Sequence, residues 1–193
     1  MNTAASRYDK VSIWLHWSIG IAIIVIAAIE LLRGELFAKG SFLREGLKAL
    51  HDPAGTVVFA LIVVRLAWRS VHAAPAMPDS MRPWEKLAAR LTHYALYVMM
   101  ILIPLGGIAY TFARGRPIDF GLFQIASPFG QSLSRETIRS LKGFHEFLGQ
   151  AILVVAFFHA VAALWHHYIR KDNVLVRMLP KRWAPVSSSP QLS

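Results

Sequence analysis

Residues 142–173 read KGFHEFLGQAILVVAFFHAVAALWHHYIRKDN, and from 143 to 168 the only side chain charged at neutral pH is Glu146. A stretch of that length and polarity is confined to a few folds, because a hydrocarbon core of roughly 30 Å is crossed by about 20 apolar residues. Within lipid an isolated segment satisfies its own backbone groups only as a helix. Yet this helix carries four histidines, His145, His159, His166 and His167. His145 and His159 are fourteen residues apart, which at about 100° per residue brings both imidazoles within roughly 40° of one face. At about 1.5 Å per residue they stand roughly 21 Å apart along the axis. One therefore lies near each membrane surface, and the two cannot share a metal. Polar side chains at such depth mark a functional site and face the bundle interior. They act either as hydrogen bonds between helices or as ligands, and the second reading requires matching histidines in other spans.

The whole chain has the same character. Of 193 residues 55% are hydrophobic, and the mean hydropathy is +0.43, well above what soluble domains of this size show. Cysteine is absent, which excludes disulfides, thiolate-held iron–sulfur clusters, covalent attachment of haem through Cys-x-x-Cys-His, and cysteine nucleophiles. Any metal must be held by nitrogen or oxygen. The net charge of +10 is scattered between apolar runs without a nucleic-acid motif, so a membrane surface, not nucleic acid, is the expected counterion.

Taken in order, the chain offers four spans, at about 11–32, 51–68, 87–112 and 143–168. The first follows a short polar tail and is too long, and lacks the cleavage site, for a signal peptide. It holds His16 between Trp14 and Trp17, which suit the interface belt. A connector of mixed charge leads to the second span, which opens at His51, tolerates Pro53 in its first turn and carries Arg65 on the histidine's face at the opposite depth. Arg65 either snorkels to the interface or anchors an anionic or carbonyl group. His72 lies in a proline-rich surface loop. The third span has His93 near its start, read first as a hydrogen-bonding or peripheral group. A ligand role is the second reading of His93. The span also has Pro104, Gly106 and Gly107, which predict a kink or a close helix approach. The connector 113–141 is turn-rich, with a helix beginning near Ser134 that continues into the fourth span. Residues 174–193 form a basic amphipathic segment and a Ser- and Pro-rich tail expected to be disordered.

Four spans place both termini on one side. Twelve of the 21 lysines and arginines lie on that side, so the positive-inside rule predicts cytoplasmic termini. His16 and His159 then share the inner side, and His51 and His145 the outer. Two stacked pairs suit two six-coordinate b haems, whose axial histidines leave no open position for oxygen. Zinc would need further ligands that a dry interior lacks. The expected fold class is all-α, an integral membrane four-helix bundle holding two b haems.

The motifs SIWLHW around His16, LKALHDPAG around His51, LKGFHE around His145 and FFHAVAALWHHYIRKDNVLVRMLP resemble those of the bacterial cytochrome b561 family. The resemblance runs along nearly the whole chain. It implies haem iron ligated by His16, His51, His145 and His159, and electron exchange with a membrane quinone in the bacterial inner membrane. One branch of the family consists of superoxide oxidases, which take electrons from periplasmic superoxide and reduce ubiquinone. A free-standing four-span chain fits that branch. Other members are cytochrome subunits that relay electrons between a partner dehydrogenase or hydrogenase and quinone. Arg44, Lys48, Arg135, Arg139 and Lys142 fall near the outer pair. They form either a funnel that raises the encounter rate of a small anion or a set of counterions for propionates and lipid. At the inner end His166, two turns beyond His159, is the first candidate for a quinone contact, ahead of Arg65 and His167.

Overall fold

The computed structural model describes residues 7–180. Four helices dominate it, α1 (Lys10–Leu36), α2 (Phe42–Val71), α3 (Pro83–Ala113) and α4 (Arg135–Trp165), and all four are long and apolar enough to cross a membrane. Each start is set by local chemistry. Asp9, Ser41 and Ser134 accept hydrogen bonds from the backbone N–H of Ser12, Arg44 and Thr137, at 2.9, 3.4 and 3.1 Å. α3 begins with Pro83 and the Glu85 carboxylate receiving the Arg82 N–H at 2.6 Å. Asp9 also accepts from the Trp68 indole at 3.1 Å, which ties α1 to α2. Burial opposes ionisation of Asp9, but hydrogen bonds from Ser12 and Trp68 outweigh it and hold the carboxyl below its ordinary range.

The helices overrun the spans expected from hydropathy. α2 starts at Phe42, nine residues before His51, because a charged helical turn is stable outside lipid once Ser41 caps it. Arg44 contributes by donating to the Phe37 carbonyl at 2.9 Å, which closes the end of α1. Pro104 lies inside α3, which stays continuous, and the adjacent glycines serve a close approach. A Cβ on Gly106 would lie 3.2 Å from the Phe144 ring, and one on Gly107 would lie 3.0 Å from the His145 ring.

The bundle is built as two hairpins. α1 packs on α2 and α3 on α4, and α2 also meets α3. The one buried apolar cluster among the described residues, Leu15, Ile19, Val58 and Ile62, sits between α1 and α2. Side chains such as Ile24, Val64, Val98, Phe157 and Phe158 are more than half exposed, as expected for surfaces that meet lipid.

Each end of the bundle is covered. Over the connector end, β1 (Ile118–Asp119) pairs antiparallel with β2 (Gln124–Ile125), and Ile118 is buried against α2 and α3. This small hairpin is the one departure from an all-helical chain among the described residues. Leu133 N–H returns to the Ala113 carbonyl at 2.7 Å. At the terminal end, residues 171–180 fold back, and the Trp17 indole donates to the Met178 carbonyl at 2.7 Å. Tyr8 N–H bonds the Arg177 carbonyl at 3.3 Å. The polar start and the basic amphipathic segment are thus joined to each other. The disordered tail expected over the last residues lies, for 181–193, outside the described residues.

Candidate functional site

At the terminal end His16 of α1 faces His159 of α4, with ring centres 6.2 Å apart and planes at 76°. At the connector end His51 of α2 faces His145 of α4, with centres 5.9 Å apart and planes at 86°. Both pairs therefore bridge helices that belong to different hairpins. A metal bound between two imidazole nitrogens at about 2.0 Å each, plus roughly 1.1 Å from each nitrogen to its ring centre, puts the centres about 6 Å apart. Both pairs match that span. His93 of α3 also comes to His159, at 5.3 Å, well short of it. Spacing along α3 does not report this contact, which depends on how α3 is rotated against α4 at Gly106 and Gly107.

The ring supports differ between pairs. His145 Nδ1 donates to the Ile103 carbonyl at 2.8 Å, which fixes the tautomer and leaves Nε2 with its lone pair free to bind a metal. Gly107 makes the approach possible. His51 Nδ1 lies 3.8 Å from the Glu30 carboxylate, which is itself held by Arg33 Nε at 2.8 Å.

A register of glycines follows the histidines. Gly20, Gly55 and Gly149 stand four residues after His16, His51 and His145, one turn on and on the same face. Glycine inside a helix costs about 1 kcal/mol against alanine, and at these three positions a Cβ would meet nothing within 4 Å. Helix packing therefore does not account for them. They leave open space beside each of these three imidazoles, which is room for a flat group. His159 has Ala163 at the corresponding place.

The remaining candidates sort themselves by partner. Arg65 reaches across to α1, donating to the Ser12 carbonyl at 3.1 Å, one turn before His16, and so does not snorkel outward. His166 begins a π-helical turn, His166–Arg170, and is buried, with Nδ1 2.5 Å from Asp172 Oδ2. His167 packs edge-on to Tyr168. His72, expected to be exposed, stacks on Trp68 with ring centres 3.8 Å apart. Of the five connector cations, Lys48 and Lys142 pair with Glu45 and Glu146 at 3.9 and 3.0 Å, and Arg44 is occupied at the end of α1. Arg135 and Arg139 are exposed and make no ion pair among the described residues.

A four-span helical membrane protein with facing imidazole pairs at its two ends is the class that this fold and site define. The chain belongs to the prokaryotic cytochrome b561 family, whose sequence profile matches residues 7–181. It is 35% identical over 177 residues to cytochrome b561 homolog 1 of Escherichia coli (strain K12), covering 92% of this chain and 99% of that one. It is 30% identical over 177 residues to the probable superoxide oxidase CybB of Yersinia pestis, covering 91% and 97%. It is 28% identical over 187 residues to cytochrome b562 of Cereibacter sphaeroides, covering 93% and 99%. The protein is thus a multi-pass membrane electron-transfer cytochrome, and its family implies b-type haem.

Proposed function

We propose that the chain holds two b haems, one between His16 and His159 and one between His51 and His145, and passes electrons from superoxide outside to ubiquinone near the inner surface. The observation that carries this reading is the separation of the rings, 6.2 and 5.9 Å, matched to a bis-imidazole metal at both ends of one bundle. The glycine register, the Ile103 bond to His145 and the two-hairpin packing support the fit. His93, too close to His159 for an iron between them, lies beside the inner haem and does not ligate it.

Iron held by two imidazoles supplies one-electron transfer with no open coordination position. The chain supplies the rest. Arg135 and Arg139 draw a small anion to the connector end, since exposed charges raise its local concentration. Two superoxide ions each give up one electron and leave as oxygen. Ubiquinone takes both electrons and two protons to become the quinol. His166 contacts its carbonyl, and Arg65 anchors a propionate or the quinone. The superoxide half of the reading is supported by the name of the Yersinia pestis relative, and the excess of basic residues at the terminal end supports cytoplasmic termini.

The purified protein alone tests the reading in stopped flow. Superoxide should reduce the b haems, read as growth of their α-band absorbance, and decylubiquinone should reoxidise them. Haems that stay oxidised in superoxide would replace this donor with a dedicated partner protein.

A further inference from the structure

His166 and Asp172 form a contact that the electron path itself does not require. The π-helical turn ends at Lys171 in the left-handed region, at φ 53°, a conformation unfavourable for a side chain larger than glycine. It turns the chain back so that Asp172 lies beside the ring of His166, six residues earlier. The His166 carbonyl accepts the Asp172 N–H at 3.1 Å, which fastens the turn. Asp172 then divides its two oxygens. Oδ1 receives the Val174 N–H at 3.1 Å, and Oδ2 meets His166 Nδ1 at 2.5 Å. Both side chains are more than nine-tenths buried, at 9% and 8% exposure.

A purely structural turn would need only the first of these bonds, and asparagine or serine makes it equally well. Burying an imidazole together with a carboxylate is costly unless each compensates the other. The neighbouring cation is already engaged, since Arg170 donates to the Ser80 carbonyl at 2.7 Å and lies 3.8 Å from Glu85. Among the described residues the side-chain partner of the Asp172 carboxylate is His166. With Nδ1 committed, Nε2 is the nitrogen open to a ligand.

We propose that Asp172 is a positioning residue whose carboxylate holds Nδ1 of His166 and offsets the charge the ring carries while it delivers a proton, so that Nε2–H donates a hydrogen bond and then a proton to the quinone carbonyl. This rests on the reading of His166 as the quinone contact. In the step, the Nε2–H bond breaks as the carbonyl O–H bond forms, and the electron pair of the broken bond stays on Nε2. His166 is left neutral, with Nδ1–H still held by Asp172, and regains its proton from the inner aqueous phase. The second proton of the quinol comes from that phase directly. Both electrons come from superoxide, oxidised to oxygen at the other end.

The test uses the full-length protein with decylubiquinone. Asp172→Asn keeps an oxygen for Val174 N–H and another contact for Nδ1 but removes the charge. It should lower kcat for quinone reduction by about tenfold or more, in line with loss of a general acid. Decylubiquinone binding to the oxidised protein, read by tryptophan fluorescence quenching, should weaken far less, and haem content and reduction by superoxide should be unchanged. Asp172→Glu should recover part of kcat. Heavy water should slow reoxidation of the wild type and have little effect on Asp172→Asn. Full kcat in Asp172→Asn, with His166→Ala slow, would overturn the role of Asp172 alone. Full-speed reoxidation in His166→Ala would overturn the quinone site itself. Should Asp172→Asn lose its haems, the wild type decides, and no heavy-water effect on its reoxidation would overturn the proposal.

Discussion

At the connector end, His145 is oriented by the protein, through the Ile103 carbonyl and the space left by Gly107, and a folded connector with Ile118 at its base lies over the pair. At the terminal end, His16 and His159 face each other with His93 alongside, Arg65 crosses nearby to Ser12, and the buried His166–Asp172 pair lies two turns further along the chain. The first end is built to hold a ligand in one orientation beneath exposed cations. The second gathers imidazoles, an arginine and a buried carboxylate. That difference suits the proposal that one end exchanges only electrons with a small anion and the other exchanges electrons and protons with a quinone.

The comparison can be broken most severely at the glycines. Gly107→Val places a branched side chain into the His145 ring, 3.0 Å from where its Cβ would sit, and should remove the connector-end haem while sparing the other. Gly20→Leu should do the converse, although it improves helix propensity. Retention of both haems in both variants, measured by pyridine haemochrome, would show that the glycine register has nothing to do with cofactor space.

A smaller effect is expected from the cations. Replacing Arg135 and Arg139 with glutamine should lower the superoxide rate severalfold and flatten its dependence on salt, because exposed charges are screened beyond roughly 8 Å at physiological ionic strength. Lys142→Gln should do less, since Glu146 already offsets that charge at 3.0 Å. Equal effects of all three would restore the wider funnel that the sequence suggested.

The smallest effect belongs to His93→Ala. Both haems should remain, with a modest shift in the midpoint potential of the terminal-end component alone. Loss of that haem would make His93 a ligand and displace His16.

How far the sequence reached follows from what each feature depends on. The spans were legible because hydropathy reports length, and the two histidine pairs because a fourteen-residue spacing puts His145 and His159 on one face at opposite depths while four alternating spans place His51 and His16 at those depths. The start of α4 near Ser134 was legible from Ile138, Leu141, His145 and Leu148 recurring at steps of three and four. The helical extension of α2 to Phe42 was not, since its charged residues hide a helix whose stability comes from Ser41 and Arg44. His93 beside His159 required the rotation of α3 against α4. Asp172 beside His166 required a π-helical turn and a left-handed Lys171, neither of which has a periodic signature. The Lys142–Glu146 pair, four residues apart on one helix, was there to be read and narrows the funnel.

The haem count of the wild type and of four single variants tests the central claim most directly. The wild type should carry about two b haems per chain, and each of His16→Ala, His159→Ala, His51→Ala and His145→Ala about one. The first two should lose one and the same spectral component, and the last two the other. One haem in the wild type, or a component shared by His16→Ala and His51→Ala, would contradict the two stacked pairs.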